Sequence, residues 1–224
     1  MSMLSNLDLI RRVPLFTQVP VPHLEALAAG VVKRRYRRGE AIVEQGKNSN
    51  ALFIILNGRA RVVMTDRHSR EVILATLREG DYLGEMSLID SQAHSATVMA
   101  EIITDVLVLK RDNFLKCLAD SSAMAMAVMN GLVQRLRSAD RKIGSLALTG
   151  VYARVANVLL ESAEPDANGV MLIKGKVSRQ DIAKMVGASR EMVSRVMKDF
   201  EEQGFIETLE TGSVVVKERR AVQR

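Results

Sequence analysis

The sequence predicts an α+β chain in three parts: a jelly-roll-like β-roll over residues 1–110, a long helix over 111–148 and a winged helix-turn-helix over 149–224. Three observations carry this. About eight short β-type runs follow one another in the first part without an intervening helix. The second part switches to a helical period with one narrow apolar stripe. The third holds two short amphipathic helices around a glycine, followed by a hairpin pattern.

Residues 1–29 contain two helical pieces around Pro14, Pro20 and Pro22, a lead-in that packs on something larger. The β-type runs are Val31–Arg37, Ala41–Glu44, Ala51–Leu56, Arg59–Thr65, Glu71–Leu77, His94–Ala100 and Asp105–Leu109. Turn signals separate them at Arg38-Gly39-Glu40, Gly46–Asn50, Asn57-Gly58 and Asp66–Arg70. Asn-Gly between alternating strands predicts a tight hairpin at 57–58.

In the second part, Met129, Leu132, Leu136, Ala139, Ile143 and Leu146 recur at spacings of 3, 4, 3, 4 and 3. This is an a/d seam, which a twin helix in a parallel dimer would cover. The competing explanation is a helix packed on its own domain. Thr149-Gly150 ends the helix, Val151–Ala163 forms another, and Pro165–Gly169 is a loop before a short strand at Val170–Ile173.

The decisive stretch is Val177–Glu202, VSRQDIAKMVGASREMVSRVMKDFEE. Ser178 is a candidate N-cap with Asp181 three residues on, Gly187 supplies the turn, and Ser189 caps the second helix. At about 100° per residue, Met192, Val193, Val196, Met197 and Phe200 share one arc. Arg190, Glu191, Ser194, Arg195 and Lys198 share the opposite arc. One arc is core; the other offers guanidinium, carboxylate, hydroxyl and ammonium groups, as a helix reading base edges in a major groove must. A solvated charged face is the plainer reading. Against it, Ala183, Gly187, Val193 and Val196 occupy small, turn and core positions, and Gly204–Lys217 reads as a hairpin turning at Glu210–Gly212.

Charge does not decide the matter. The chain carries +6 overall, but residues 150–224 hold 12 Lys and Arg against 11 Asp and Glu. DNA binding therefore rests on the helix pattern and not on a global basic field. No apolar run approaches the roughly 20 residues that span a bilayer. The N-terminus lacks a secretory pattern, and the single Cys117 can form neither an internal disulfide nor an iron–sulfur cage. A cytoplasmic protein without a membrane partner is expected.

In Gly80–Val98, GDYLGEMSLIDSQAHSATV, the segment Gly84-Glu85-Met86-Ser87-Leu88 reads as a short helical turn with a glycine at its start. Exposed N–H groups there would receive an anionic oxygen, and Glu85 could hold a ribose hydroxyl. With GEMSLID…SATV and SRQDIAKMVGASREMVSRVMKDFEEQGFI both in place, the chain resembles the Crp/Fnr family of bacterial transcription regulators over essentially its whole length. The resemblance implies a cyclic-nucleotide-binding β-roll, a dimerisation helix and a winged helix-turn-helix. It further implies a homodimer on double-stranded DNA, an inverted repeat with TGTGA-like half-sites, and RNA polymerase as a partner. By position, the nucleotide site would comprise Gly84, Glu85, Met86, Ser87, His94, Ser95, Ala139 and Asp140. DNA would be met by Ser178, Arg179, Gln180, Ser189, Arg190, Glu191, Ser194, Arg195 and Lys198. Arg190 and Arg195 would take guanines, Glu191 a cytosine, and Ser178 and Gln180 phosphates.

The departures matter as much. Where cAMP-binding members place an arginine before the final strand, this sequence has His94, an imidazole with an ordinary pKa of about 6.5 in place of a permanent bidentate cation. The Thr-Ser pair that meets adenine in those members aligns with Ala139 and Asp140. Losing a charge-assisted phosphate contact disfavours cAMP. Three readings follow. The pocket takes another nucleotide, with cyclic di-GMP the candidate and Arg67, Arg70, Arg135, Arg137 and Arg141 available to it; or the pocket is vestigial and DNA is bound without an effector; or protonated His94 retains weak cAMP binding. Effector binding would shift the seam and reset the spacing of two recognition helices. The rival class is a cyclic-nucleotide hydrolase, but Asp81, Glu85, Asp90 and His94 lack HD or HxH spacing, so neither enzymatic activity nor a metal is expected. A nucleotide-sensing scaffold whose winged domain binds protein is the third class.

Overall fold

A computed structural model describes residues 5–175 and 177–217; the outer ends of the expected first and last parts, 1–4 and 218–224, lie outside the described residues. The chain forms two compact units, Met1–Arg137 and Ser138–Arg224.

The first unit opens with α1 (Asn6–Arg11), a 3₁₀ turn at Pro14–Phe16 and α2 (Val21–Gly30). Ser5 and Asp8 start α1 as a reciprocal capping box. Eight strands follow: β1 (Val31–Tyr36), β2 (Ala41–Val43), β3 (Ala51–Asn57), β4 (Ala60–Thr65), β5 (Glu71–Leu77), β6 (Tyr82–Leu83), β7 (Thr97–Ala100) and β8 (Thr104–Lys110). A short helix, α3 (Glu85–Asp90), sits between β6 and β7; α4 (Arg111–Asp120) and α5 (Ser122–Leu148) follow β8. The strands form two antiparallel sheets, ordered β1-β8-β3-β6 and β2-β7-β4-β5.

β3 shows why the layers hold. Phe53 and Ile55 enter a core with Ile42, Val43, Leu77, Leu83, Val98 and Val106, between the two sheets. Leu52 and Ile54 join a second core with Leu24 and Leu27 of α2, Phe114 of α4 and Met124 and Val128 of α5. Alternate side chains of a strand face opposite ways, so an unbroken apolar run suits a strand covered on both faces.

Two expectations change here. Asn57-Gly58 is not a hairpin: β3 pairs with β6 and β8, whereas β4 pairs with β5 and β7. The turn carries the chain from one sheet to the other. Gly58 has φ +105°, and a Cβ there would lie 2.7 Å from the Ile103 carbonyl oxygen, so this corner needs glycine for both conformation and space. The hairpin in this region is β4–β5, tipped by Asp66, whose carboxylate accepts the backbone N–H of His68 and Arg70. The second change is at Ser121, which breaks the helical stretch with φ −131° and ψ 105°. Its hydroxyl accepts the N–H of Met124 at 3.3 Å and starts α5. The break lets α4 bury Phe114 and Cys117 and α5 bury Met124 and Val128 in one core. Burial raises the Cys117 thiol pKa, in keeping with an inert role.

In the second unit come α6 (Val151–Ser162), β9 (Glu164–Pro165), β10 (Met171–Ile173), α7 (Arg179–Val186), α8 (Arg190–Glu202), β11 (Ile206–Thr208) and β12 (Val214–Val216). The antiparallel sheet runs β11-β12-β10-β9. Its core joins Val155 and Leu159 of α6, Ile182, Ala183 and Val186 of α7, Val193, Val196, Met197 and Phe200 of α8, and Ile206, Val214 and Val216 of the wing. Each of these side chains larger than alanine contributes about 1.5–3 kcal/mol by leaving water. Together the units are an α+β fold: a β-roll, a long helix and a winged helix-turn-helix. Among the described residues no helix is long and apolar enough to cross a membrane.

Candidate functional site

The helix-turn-helix is assembled by local chemistry. Ser178 accepts the Asp181 N–H at 3.2 Å to start α7. Gly187 ends that helix in the left-handed region at φ +63°. Ser189 accepts the Met192 N–H at 3.1 Å to start α8. Val193, Val196, Met197 and Phe200 are buried, and Arg190, Glu191, Ser194, Arg195 and Lys198 are all exposed. Met192, expected in the core, lies at the edge of the apolar arc and is exposed. Among the described residues, the guanidinium groups of Arg190 and Arg195 make no salt bridge and no side-chain hydrogen bond, so both are free to meet a ligand. Arg179 differs: it is half-buried, 3.8 Å from Glu201 on α8, and so ties the two helices together. Gln180 is exposed, while the hydroxyls of Ser178 and Ser189 already serve as caps.

Along α5, Met129 and Leu136 in the first unit are 50% and 63% exposed, and Ile143 and Leu146 in the second are 64% and 51% exposed. Ala139 is exposed, whereas Leu132 packs partly against the first unit's core. The stripe is therefore mostly uncovered by its own chain. Large apolar side chains left open in register along one helix mark an association surface.

The β-roll holds a cavity of about 200 Å³. Gly84, Glu85, Met86, Ser87, His94 and Ser95 line it, six residues that the sequence had grouped. Asp90, Gln92, Ala93, Ala96 and the apolar side chains of Val43, Val62, Leu83 and Val98 complete the wall. Ala139 and Asp140 lie in the second unit and are exposed. Ser87 gives its hydroxyl proton to the Gln92 carbonyl at 2.5 Å. Glu85 is 1% exposed, and its Oε1 accepts Nη1 of Arg135 at 2.5 Å. Nη2 of Arg135 donates to the Tyr82 carbonyl, and the guanidinium lies 4.9 Å from the Tyr82 ring centroid. Among the described residues, Oε2 of Glu85 has no hydrogen-bond partner. Burial pushes the Glu85 carboxyl above its ordinary range, against the pull of Arg135 and of its own backbone N–H. His94 is buried, with Nε2 2.8 Å from Ser49 Oγ. Its backbone is held by Gly46 and Lys47, which is why the strand starts at Thr97 and not at His94. Burial lowers the imidazole pKa, correcting the ordinary value expected from sequence: at neutral pH the ring is uncharged.

This geometry has known counterparts. A cyclic nucleotide-binding domain model matches residues 33–121, and a Crp-like helix-turn-helix domain model matches residues 153–224. The cAMP-activated global transcriptional regulator Vfr of Pseudomonas aeruginosa is 35% identical over 193 residues, covering 82% of this chain and 89% of Vfr. The chain belongs to the Crp/Fnr family of transcription regulators. The cAMP-activated regulator CRP of Salmonella typhimurium is 31% identical over 191 residues, 83% of this chain and 90% of CRP. The c-di-GMP responsive global regulator CLP of Xanthomonas campestris shares the fold, with a TM-score of 0.76 at 23% identity over 89% of this chain and 100% of CLP. The catabolite activator protein of Thermus thermophilus is 30% identical, with a TM-score of 0.54 over 91% of this chain and 93% of its own.

Within this Crp/Fnr frame, two partners of the pocket escape sequence reasoning: Ser49, which engages His94, and the Glu85–Arg135 pair. The sequence offers Arg135 among the arginines available to a phosphate, yet it is committed to a carboxylate, as Arg70 is to Asp66 at 2.6 Å. Arg67, Arg137 and Arg141 are exposed.

Proposed function

We propose that the protein is a homodimeric, sequence-specific DNA-binding regulator that reads an inverted repeat of TGTGA-like half-sites through α8. The observation that carries this is the pair of unpaired, exposed guanidiniums on α8, set on a helix whose opposite face is locked into the core. Arg190 and Arg195 match guanine edges bidentately, and Glu191 accepts from a cytosine amine. Gln180 and the caps Ser178 and Ser189 stand at the helix starts, where backbone phosphates are met. Ser194 and Lys198 continue the reading face. The α5 stripe joins two copies, so that half-sites fall about one turn, roughly 34 Å, apart. In this reading the β-roll ends at 110, the dimer helix spans 111–148 and the DNA domain follows from 149, and RNA polymerase is the further partner. The test is binding to such a repeat: Arg195→Ala should weaken specific binding by about 1–3 kcal/mol and leave binding to random duplex nearly unchanged. Equal loss on both duplexes would contradict base reading.

Effector control is proposed to run through a ligand other than cAMP. Among the described residues no arginine or lysine lines the cavity, and the His94 ring is neutral and engaged with Ser49. Cyclic di-GMP, the messenger to which CLP responds, ranks ahead of cAMP, and its phosphates would rely on exposed arginines such as Arg67, since Arg70 and Arg135 are already paired. A coupling of about 1–3 kcal/mol between ligand and operator would give a 5- to 150-fold response. Titrating the operator complex with cAMP, cGMP and cyclic di-GMP separates the readings. Identical operator affinity with all three would mark a regulator that works without a nucleotide.

A further inference from the structure

Arg195 stands between two carboxylates on α8: Glu191 four residues before it and Asp199 four residues after it. Side chains four apart on a helix are neighbours, and opposite charges there attract. Either acid would close the guanidinium off from a guanine. Yet Arg195 is exposed and, among the described residues, makes no ion pair. Glu191 has a base of its own to meet in the proposed complex. Asp199 has none, and a different residue occupies it.

Tyr152, in the first turn of α6, donates its phenolic hydrogen to Oδ2 of Asp199. A hydrogen bond to an ionised carboxylate is among the stronger kinds. It joins residues 47 apart in the chain, so helix spacing alone does not predict it. Packing aims the ring. Tyr152 meets Phe200 edge-on with centroids 6.0 Å apart, and Phe200 meets Phe205 in the same manner at 5.0 Å. Phe200 belongs to the core of the winged domain, and Val155 and Leu159 anchor α6 in that core too. The hydrogen bond to Asp199 holds the phenol pKa above its ordinary value while the Arg195 charge pulls it down, so the three groups share one electrostatic neighbourhood. The Tyr152 side chain is 43% exposed, and a hydrogen bond at the surface adds little to folding. What it does fix is where the Asp199 carboxylate points. We propose that Tyr152 is a positioning residue for DNA reading: its hydroxyl holds the Asp199 carboxylate away from Arg195 and so keeps that guanidinium open to a guanine. This deepens the reading of α8 as the DNA-contacting helix and rests on it.

Binding of the full-length protein to the TGTGA-like repeat and to random duplex, read by fluorescence anisotropy, tests this with Tyr152→Phe, Asp199→Asn, the double variant and Arg195→Ala. Phenylalanine keeps the ring contacts and removes only the hydroxyl. An exposed ion pair at this spacing would close Arg195 by about 2- to 5-fold per half-site. The repeat offers two half-sites, so Tyr152→Phe should weaken repeat binding about 4- to 25-fold and leave random duplex unchanged. Asp199→Asn should bind the repeat at least as tightly as wild type. The double variant should match Asp199→Asn within twofold, because without the carboxylate the hydroxyl has nothing to hold back. A loss below fourfold in Tyr152→Phe overturns the proposal, as does an equal loss on random duplex or a double variant that stays as weak as Tyr152→Phe. Arg195→Ala keeps the two readings apart. If it weakens repeat binding and Tyr152→Phe does not, only the role of Tyr152 falls; if it leaves repeat binding unchanged, the reading of α8 itself falls.

Discussion

Replacing Leu136 with glutamine should weaken self-association by roughly 30- to 700-fold while leaving the fold of each copy intact. Leu136 is 63% exposed on α5 in the single chain. Complete burial of a leucine side chain is worth about 1.5–3 kcal/mol, so covering the open fraction is worth roughly 1–2 kcal/mol per copy. A twofold seam counts the residue twice, about 2–4 kcal/mol in all, and each 1.4 kcal/mol is tenfold in the dissociation constant. Glutamine is a good helix former and the site is open in the monomer, so the cost to each copy should stay within about 0.5 kcal/mol. Sedimentation over a nanomolar to 100 µM range reads the dimer constant, and far-ultraviolet circular dichroism checks the helix content. A wild-type protein that sediments as a monomer throughout, or a variant that dimerises as well as wild type, would refute the seam.

Other expectations follow from the same geometry. Ser189→Ala removes the cap that accepts the Met192 N–H and should cost about 1 kcal/mol of stability, read as a lower denaturation midpoint. Glu191→Ala should relax discrimination at a single base pair by about 1–3 kcal/mol without changing binding to random DNA, read by competition with half-site variants. The pH dependence of stability should carry the mark of His94, whose folded pKa lies below its unfolded value of about 6.5 because the ring is buried. Between those two values the unfolded chain binds more protons, so this contribution is fully present above about pH 6.5 and is lost as the pH falls below it. Melting temperatures from pH 5 to 8 should fall less on the acid side for His94→Gln; an unchanged acid limb would show that His94 does not titrate there.

What could be read from the sequence is what short-range physics controls. The caps at Ser178 and Ser189 each bond three residues ahead, so their chemistry sits within one turn. The buried and exposed arcs of α8 follow from 3.6 residues per turn, and only Met192, at the arc's edge, fell on the other side. The grouping of Gly84, Glu85, Met86, Ser87, His94 and Ser95 came with a recognisable run of residues, and the cavity draws them together.

Tertiary structure decided what depends on distant partners. Asn57-Gly58 looks like a hairpin locally, but β3 finds its neighbours in β6 and β8, because its two apolar faces need cover from both the opposite sheet and the helices. His94 meets a serine 45 residues away, and Glu85 an arginine 50 residues away. Those two meetings set whether the cavity holds positive charge, and no periodicity encodes them. Local pattern fixes which side of an element faces inward; which groups then meet there, and in what charge state, is set by long-range packing and the desolvation that comes with it.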